Sequence, residues 1–173
     1  QNGFKSILGT DGNPGSDSLF ASWQSFFNHG HRITGVGVSD VHGMSTPGEA
    51  RTYVPSADAL DAFVEGPMLQ AVLDGNAQTS TGAFTTIAVG DSTVGMDAGM
   101  GDTVTLAGDV DVDVKVEALP DVRIDAVYLF ANCDVVAVLP ATDPDAVVKL
   151  DTTTTLTLTD DAHITAVAMG SGS

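Results

Sequence analysis

Asp40 and His42 are the two residues of this chain best placed to do chemistry together. They close the run Arg32-Ile-Thr-Gly-Val-Gly-Val-Ser-Asp-Val-His-Gly43. Residues two apart in an extended chain project the same way, so a carboxylate and an imidazole at this spacing can face one cation. A bare Asp-x-His is a weak signal, because a capping aspartate beside a hydrogen-bonded histidine reads the same. The run in front strengthens it. Ile33 to Val38 is short, β-branched and apolar on both faces, which is the pattern of a buried parallel strand. The C-terminal ends of such strands are where α/β folds build their sites. Gly35, Gly37 and Gly43 would let other backbone or a ligand approach closely. The chemistry would be hydrolysis, with bound divalent ions lowering the pKa of a water and holding the charge that develops on a phosphoryl or acyl centre. Asp40 could also bridge ions or take a proton. Mixed histidine and carboxylate ligands suit zinc, manganese and iron alike.

The elements that would carry this pair are legible on both sides of it. Residues up to Asp17 are rich in Gly, Asn, Pro, Ser and Asp and read as a loop. Asp11, Asn13 and Asp17 fall short of a calcium loop, lacking its glycine and its closing glutamate. Ser18 can cap a helix in which Leu19, Phe20, Trp23, Phe26 and Phe27 form one apolar stripe, and Gly30 is placed to end it. A strand over Ala50 to Val54 and a helical segment from Ser56 follow; Gly66-Pro67 interrupts that segment and Gly75 closes it. After about Thr79 the period changes to two. Asp109 to Val116 alternates strictly, with Val110, Val112, Val114 and Val116 on one face. Runs at Ile124 to Ala131, Val135 to Leu139, Val147 to Leu150, Thr154 to Leu158 and Ile164 to Met169 continue it, with turns at Asn132-Cys133-Asp134 and Pro140 to Pro144. The expected architecture is an α/β end piece over 1–80 followed by a small antiparallel, sandwich-like all-β unit over 81–173.

The segment Asn28-His-Gly-His-Arg-Ile-Thr-Gly-Val-Gly-Val-Ser-Asp-Val-His-Gly43, with Pro47-Gly-Glu-Ala-Arg-Thr-Tyr-Val54 after it, resembles the end of a PHP-type metal-dependent hydrolase of the branch related to carbaryl esterases. Val38 stands where that branch usually has glycine, and Val41 where it has a small residue; neither change removes a ligand. The resemblance covers roughly residues 16 to 90. It implies the last part of a distorted β/α barrel, with Asp40 and His42 as the final metal-ligand pair and a small phosphoester or ester as substrate. It also implies further ligands in an upstream segment, so the missing N-terminal part of the same protein, or another copy, is an expected partner. Arg51 could contact an anionic group of the substrate, or else form an ion pair with a neighbour such as Glu49. His29 and His31 have ligand spacing but sit at the wrong end of the expected strand, where a capping or surface role is the plainer reading. His163 is expected to face solvent.

Composition excludes several alternatives. The net charge is −17, from 23 acidic and 6 basic residues, which leaves too few cations to hold a nucleic-acid backbone or an anionic membrane surface. Most of the acid is aspartate and lysine is rare, which suits a saline, extracellular or periplasmic setting. The run Gln1 to Lys5 is neither an initiator methionine nor a signal peptide, so a piece of a longer product is expected. Cys133, the single cysteine, excludes an internal disulfide, and with no histidine beside it in sequence a catalytic thiol is not expected. Against the hydrolase stands a second possibility, a non-catalytic β-rich binding module with a vestigial metal motif.

Overall fold

The computed structural model describes residues 19–39, 41, 48, 50–57, 59, 61–91, 95–106 and 108–170. Its elements in chain order are α1 (Leu19–Asn28), β1 (Arg51–Tyr53), α2 (Glu65–Leu73), β2 (Gln78–Ser80), β3 (Ala83–Asp91), β4 (Gly95–Ala98), β5 (Asp109–Ala118), β6 (Ala126–Ala131), β7 (Asp134–Pro140), β8 (Val148–Thr157) and β9 (Ile164–Met169).

The alternation of β5 organises the molecule. Val110, Val112, Val114 and Val116 all point inward, and Val112 and Val116 are wholly buried. Burying a valine is worth about 1.5–3 kcal/mol, so this strand can be neither a helix nor slipped by one residue, since a slip would turn all four outward. It lies in the middle of a four-stranded antiparallel sheet of order β4-β3-β5-β8. A three-stranded antiparallel sheet, β7-β6-β9, supplies the opposing face. Val127 and Leu129 of β6, with Ala137 and Leu139 of β7 and Ala166 and Ala168 of β9, join the β5 valines and Leu150 and Leu156 of β8 in one core. This is the antiparallel β unit expected beyond residue 81. The runs at Val147 and Thr154, read separately in sequence, are one strand, because the intervening threonines pair with β5 along its whole length.

The acids on the outer face of β5 are matched across the strand pair. Asp109, Asp111 and Asp113 stand opposite Thr157, Thr155 and Thr153. Each threonine hydroxyl donates to its aspartate, at 2.8 Å for Thr157 and 2.6 Å for Thr155. A row of carboxylates is thus accommodated by hydroxyl partners rather than by scarce lysines. Lys115 instead pairs with Glu117 at 3.0 Å on the same face.

The β6–β7 hairpin turns on Asn132 and Cys133, whose φ angles of 50° and 80° are both positive. Two-residue hairpins favour such turns because their twist matches the strands, and they normally carry Asn-Gly. A cysteine held there costs on the order of 1 kcal/mol. Its Sγ accepts a hydrogen bond from Asn28 Nδ2 at 3.3 Å, tying the turn to the end of α1. Cys133→Gly should therefore raise the unfolding free energy by up to about 1 kcal/mol, the relief exceeding one weak sulfur bond. Urea unfolding checks this; a clear loss of stability would mean that the sulfur contact outweighs the strain.

The first half departs from expectation in two places. No strand forms over 31–39: the stretch makes no ladder, and Ile33, Val36 and Val38 are exposed, by 42%, 60% and 70%. The second helix starts at Glu65 rather than near Ser56, so that Pro67 falls in its first turn, where the missing N–H has no partner to lose. Both outcomes have one cause. Many apolar side chains of this half, Phe63, Val64, Leu69 and Leu73 among them, stay exposed, so little pulls the segments into a layered sheet. The β/α barrel end piece is accordingly not formed by the described residues, and no helix among them is long and apolar enough to cross a membrane.

Candidate functional site

Asp40, His42 and Glu49 lie outside the described residues, but the segment that delivers Asp40 is described up to Ser39. It is held from three sides. From α1, the Trp23 indole N–H donates to Ile33 O at 2.7 Å, and the indole ring lies 3.6 Å from where a Cβ on Gly35 would sit. From α2, the Val72 carbonyl accepts the Thr34 hydroxyl at 2.5 Å. The β1–β2 hairpin closes the third side. The Thr52 hydroxyl donates to Gly37 O at 3.0 Å and accepts from Gly37 N–H at 2.9 Å. One threonine side chain thus satisfies both backbone groups of Gly37, the work a neighbouring strand would otherwise do. That is how Gly37 keeps its backbone groups paired without a ladder.

Gly35 and Gly37 were expected to permit close approach, and they do. A Cβ on Gly37 would sit 3.0 Å from Arg51 O and 3.0 Å from Thr79 Cβ, with backbone on one side and a β-branched residue on the other. Gly37→Val should push the segment off the hairpin, break both Thr52 bonds and cost about 1–3 kcal/mol. Differential scanning calorimetry, with the chemical shifts of Thr52 and Thr79, checks this; unchanged shifts would refute the contact.

Arg51 sits beside this segment, where its carbonyl faces Gly37. Its guanidinium is exposed; Nε donates to Gly48 O, and a second nitrogen lies 3.5 Å from the Tyr53 hydroxyl. No ion pair of Arg51 with a described acid is formed. Arg32 is committed elsewhere, donating to Gly101 O and, at 3.3 Å, to Asp74 O. A cavity of about 340 Å³ beside these carbonyls is lined by Gln70, Asp74, Asn76 and Asp102. Both of its carboxylates are engaged, Asp74 by Gln70 at 2.8 Å and Asp102 by the Gly99 N–H at 2.9 Å.

The described histidines have other occupations. His29 Nδ1 lies 2.7 Å from Ser25 O at the end of α1, a capping role, and His31 packs on Phe26 with ring centroids 6.4 Å apart. His163 was expected to face solvent and does not. It is half-buried, stacked on Phe27 with centroids 5.0 Å apart, and its Nε2 lies 3.3 Å from Gln24 Oε1. Gln24 is itself fully buried. Half of the signal was in the sequence: Phe20, Gln24, Phe27 and Asn28 fall on one helical face, which marks Gln24 for a buried contact without naming His163 as its partner. Phe20 meets Phe130 edge-on at 5.0 Å on that same face. Burial pushes the His163 pKa down and the Cys133 pKa up; the Asn28 hydrogen bond works against the latter and the nearby Asp134 adds to it.

Among the described residues no three His, Cys, Asp or Glu side chains converge as a metal would require. A metal held by Asp40 and His42 would need its remaining ligands from beyond them. Compared with family models, with curated proteins and with solved structures, the chain matches none.

Proposed function

We propose that this chain is part of a metal-dependent hydrolase of the PHP type, phosphoesterase- or esterase-like, with Asp40 and His42 as its last ligand pair. The divalent ions, zinc, manganese or iron, would supply an activated water and charge stabilisation. The chain's own contribution is positional. Asp40 follows directly on a segment pinned at Ile33, Thr34 and Gly37. That anchoring is the observation that carries the reading, because a ligand must be held in place before the ion arrives. Arg51, alongside the segment and exposed, is available to an anionic substrate group.

The exposure of the apolar side chains Ile33, Val36, Val38, Leu69 and Leu73 is the second support. Large apolar side chains left in water in this number call for a cover. In this reading it is the remainder of the barrel, from another segment of the same protein or from a second copy, and that remainder brings the missing ligands. The chain alone is then a poor hydrolase. The test is turnover of aryl esters and aryl phosphates by the intact protein with manganese or zinc, and its loss on chelation. Undiminished turnover after the metal is stripped would end the proposal. A binding module is the second reading, favoured by Val136 and Val138, which are exposed on the edge strand β7 where a partner strand could add.

A further inference from the structure

The two sheets of the sandwich end in strands of different character. β7, at one edge of the three-stranded sheet, has a bulge where its register with β6 shifts between Leu129 and Phe130, and it ends on Pro140. Bulges and prolines are common means of closing a sheet edge. β8, at one edge of the four-stranded sheet, has neither from Leu150 to Thr157, where it pairs with β5 in unbroken register. The loop after β7 covers its far side at Lys149, whose carbonyl accepts from the Thr142 and Asp143 N–H groups at 2.9 and 3.3 Å. Beyond that point no described residue hydrogen-bonds to the backbone of β8 from the side away from β5. Only alternate residues of an antiparallel strand exchange bonds with a given neighbour, so the rest of this edge presents N–H and C=O groups outward. The tract Thr152-Thr-Thr-Thr-Leu-Thr157 also lacks any charge or glycine that would spoil pairing.

We propose that the free edge of β8 takes up an extended cationic peptide segment as a further strand, with lysine or arginine at the alternate positions that face the outer side of the sheet. This capacity belongs to the β unit and stands apart from the hydrolase reading of Asp40 and His42.

The charge of the occupant follows from the face it would join. β5 contributes Asp109, Asp111, Asp113 and Glu117 to that face and β8 contributes Asp151, while Lys115 is the one exposed cation of the two strands. Lys115 is already paired with Glu117 at 3.0 Å. The hydroxyls that hold Asp109, Asp111 and Asp113 are neutral, so this row keeps its charge. An added strand lies about 4.8 Å beyond β8. Its outward side chains then stand beside Thr153, Thr155 and Thr157, which are exposed. A lysine or arginine stem is long enough to cross these threonines to the carboxylates behind them. Residues facing the other way meet the rim of the core at Thr152, Thr154 and Leu156, which suits small or β-branched side chains. A second copy of the chain is repelled from the same position, since it brings a net charge of −17 and an identical aspartate row. The edge supplies main-chain bonds to any strand, and the acids select a basic one.

The probe is the capped heptapeptide Lys-Val-Lys-Val-Lys-Val-Lys, titrated into the full chain at low salt by calorimetry and by NMR. Saturable binding is expected, with shift changes centred on 151–157 and slowed hydrogen exchange of β8 amides. The same peptide with every backbone nitrogen methylated keeps its charge but cannot donate to a strand, and should lose binding. Asp111→Asn combined with Asp113→Asn should weaken binding about tenfold. Thr155→Lys sets a cation on the edge and should abolish it, with the shifts of the core valines unchanged. The proposal is overturned if the cationic peptide does not bind, if its methylated form binds equally well, or if the shift changes lie away from β8. Undiminished affinity in the aspartate variant would remove the charge selection and overturn it too. Sedimentation of the chain alone decides the remaining alternative: a dimer that perturbs the same β8 amides would make a second copy the occupant, against the proposal.

Discussion

Leu129→Ala should destabilise the sandwich by about 2–5 kcal/mol, a large part of what a domain of this size has to lose. Leu129 is 0% exposed and lies in β6, the central strand of the three-stranded sheet, facing the β5 valines across the core. Strands on both sides fix the backbone, with Ala137 of β7 and Ala166 of β9 as its neighbours in register. Those small residues cannot swing in to fill the space, so most of the cavity would remain. The comparison to make is Leu73→Ala on α2. Leu73 is 77% exposed, and its truncation should change the stability of this chain by less than about 0.5 kcal/mol. Urea unfolding of the two variants side by side measures the difference. Similar losses would mean that the packing is not divided between a sealed sandwich and an uncovered first half. In the intact hydrolase proposed above, Leu73 would be covered, and its truncation would then carry a cost it lacks here.

Asp40→Ala in the intact protein should lower kcat/KM for aryl ester and aryl phosphate substrates by about 100-fold or more, equivalent to about 2.7 kcal/mol of transition-state stabilisation. Residues that merely orient a metal ligand are worth 10–100-fold, so loss of the ligand itself should reach at least the top of that range. Asp40 precedes every strand of the β unit in sequence, so the unfolding midpoint of that unit should stay where it was. Arg51→Ala should behave differently, raising KM while leaving kcat close to its original value, since an exposed guanidinium binding an anionic group acts mainly on the bound substrate. Metal content by mass spectrometry completes the test: Asp40→Ala should carry less metal and Arg51→Ala should not. Intact turnover in Asp40→Ala would remove Asp40 from the site and the hydrolase reading with it.

Much of the β unit could be read in advance because its residues answer to their nearest neighbours. The alternation from Asp109 to Val116 determines which face is buried, whatever strand lies beside it. The Asn132-Cys133-Asp134 turn was legible from its Asn and Asp, although Cys133 is strained at its positive φ, and the strand Ile164–Met169 was legible residue for residue. Helix α1 and its end near Gly30 were likewise local, set by a 3.6-residue apolar stripe and a glycine at φ 77°.

Tertiary structure decided what depended on distant partners. Ile33 to Val38 has the composition of a buried strand, yet burial needs a covering layer that the described residues do not supply. Thr52 takes up the hydrogen-bonding groups of Gly37 instead, and no pattern within 33–38 could announce a threonine hydroxyl fourteen or more residues away. His163 was expected to face solvent, as a strand residue of the β unit. It is half-buried because α1, more than a hundred residues earlier, lays Gln24 and Phe27 against it. Period and turn chemistry are properties of a few consecutive residues and are written in the sequence. Which apolar face is covered, and which polar group finds a partner, is settled only when remote segments meet.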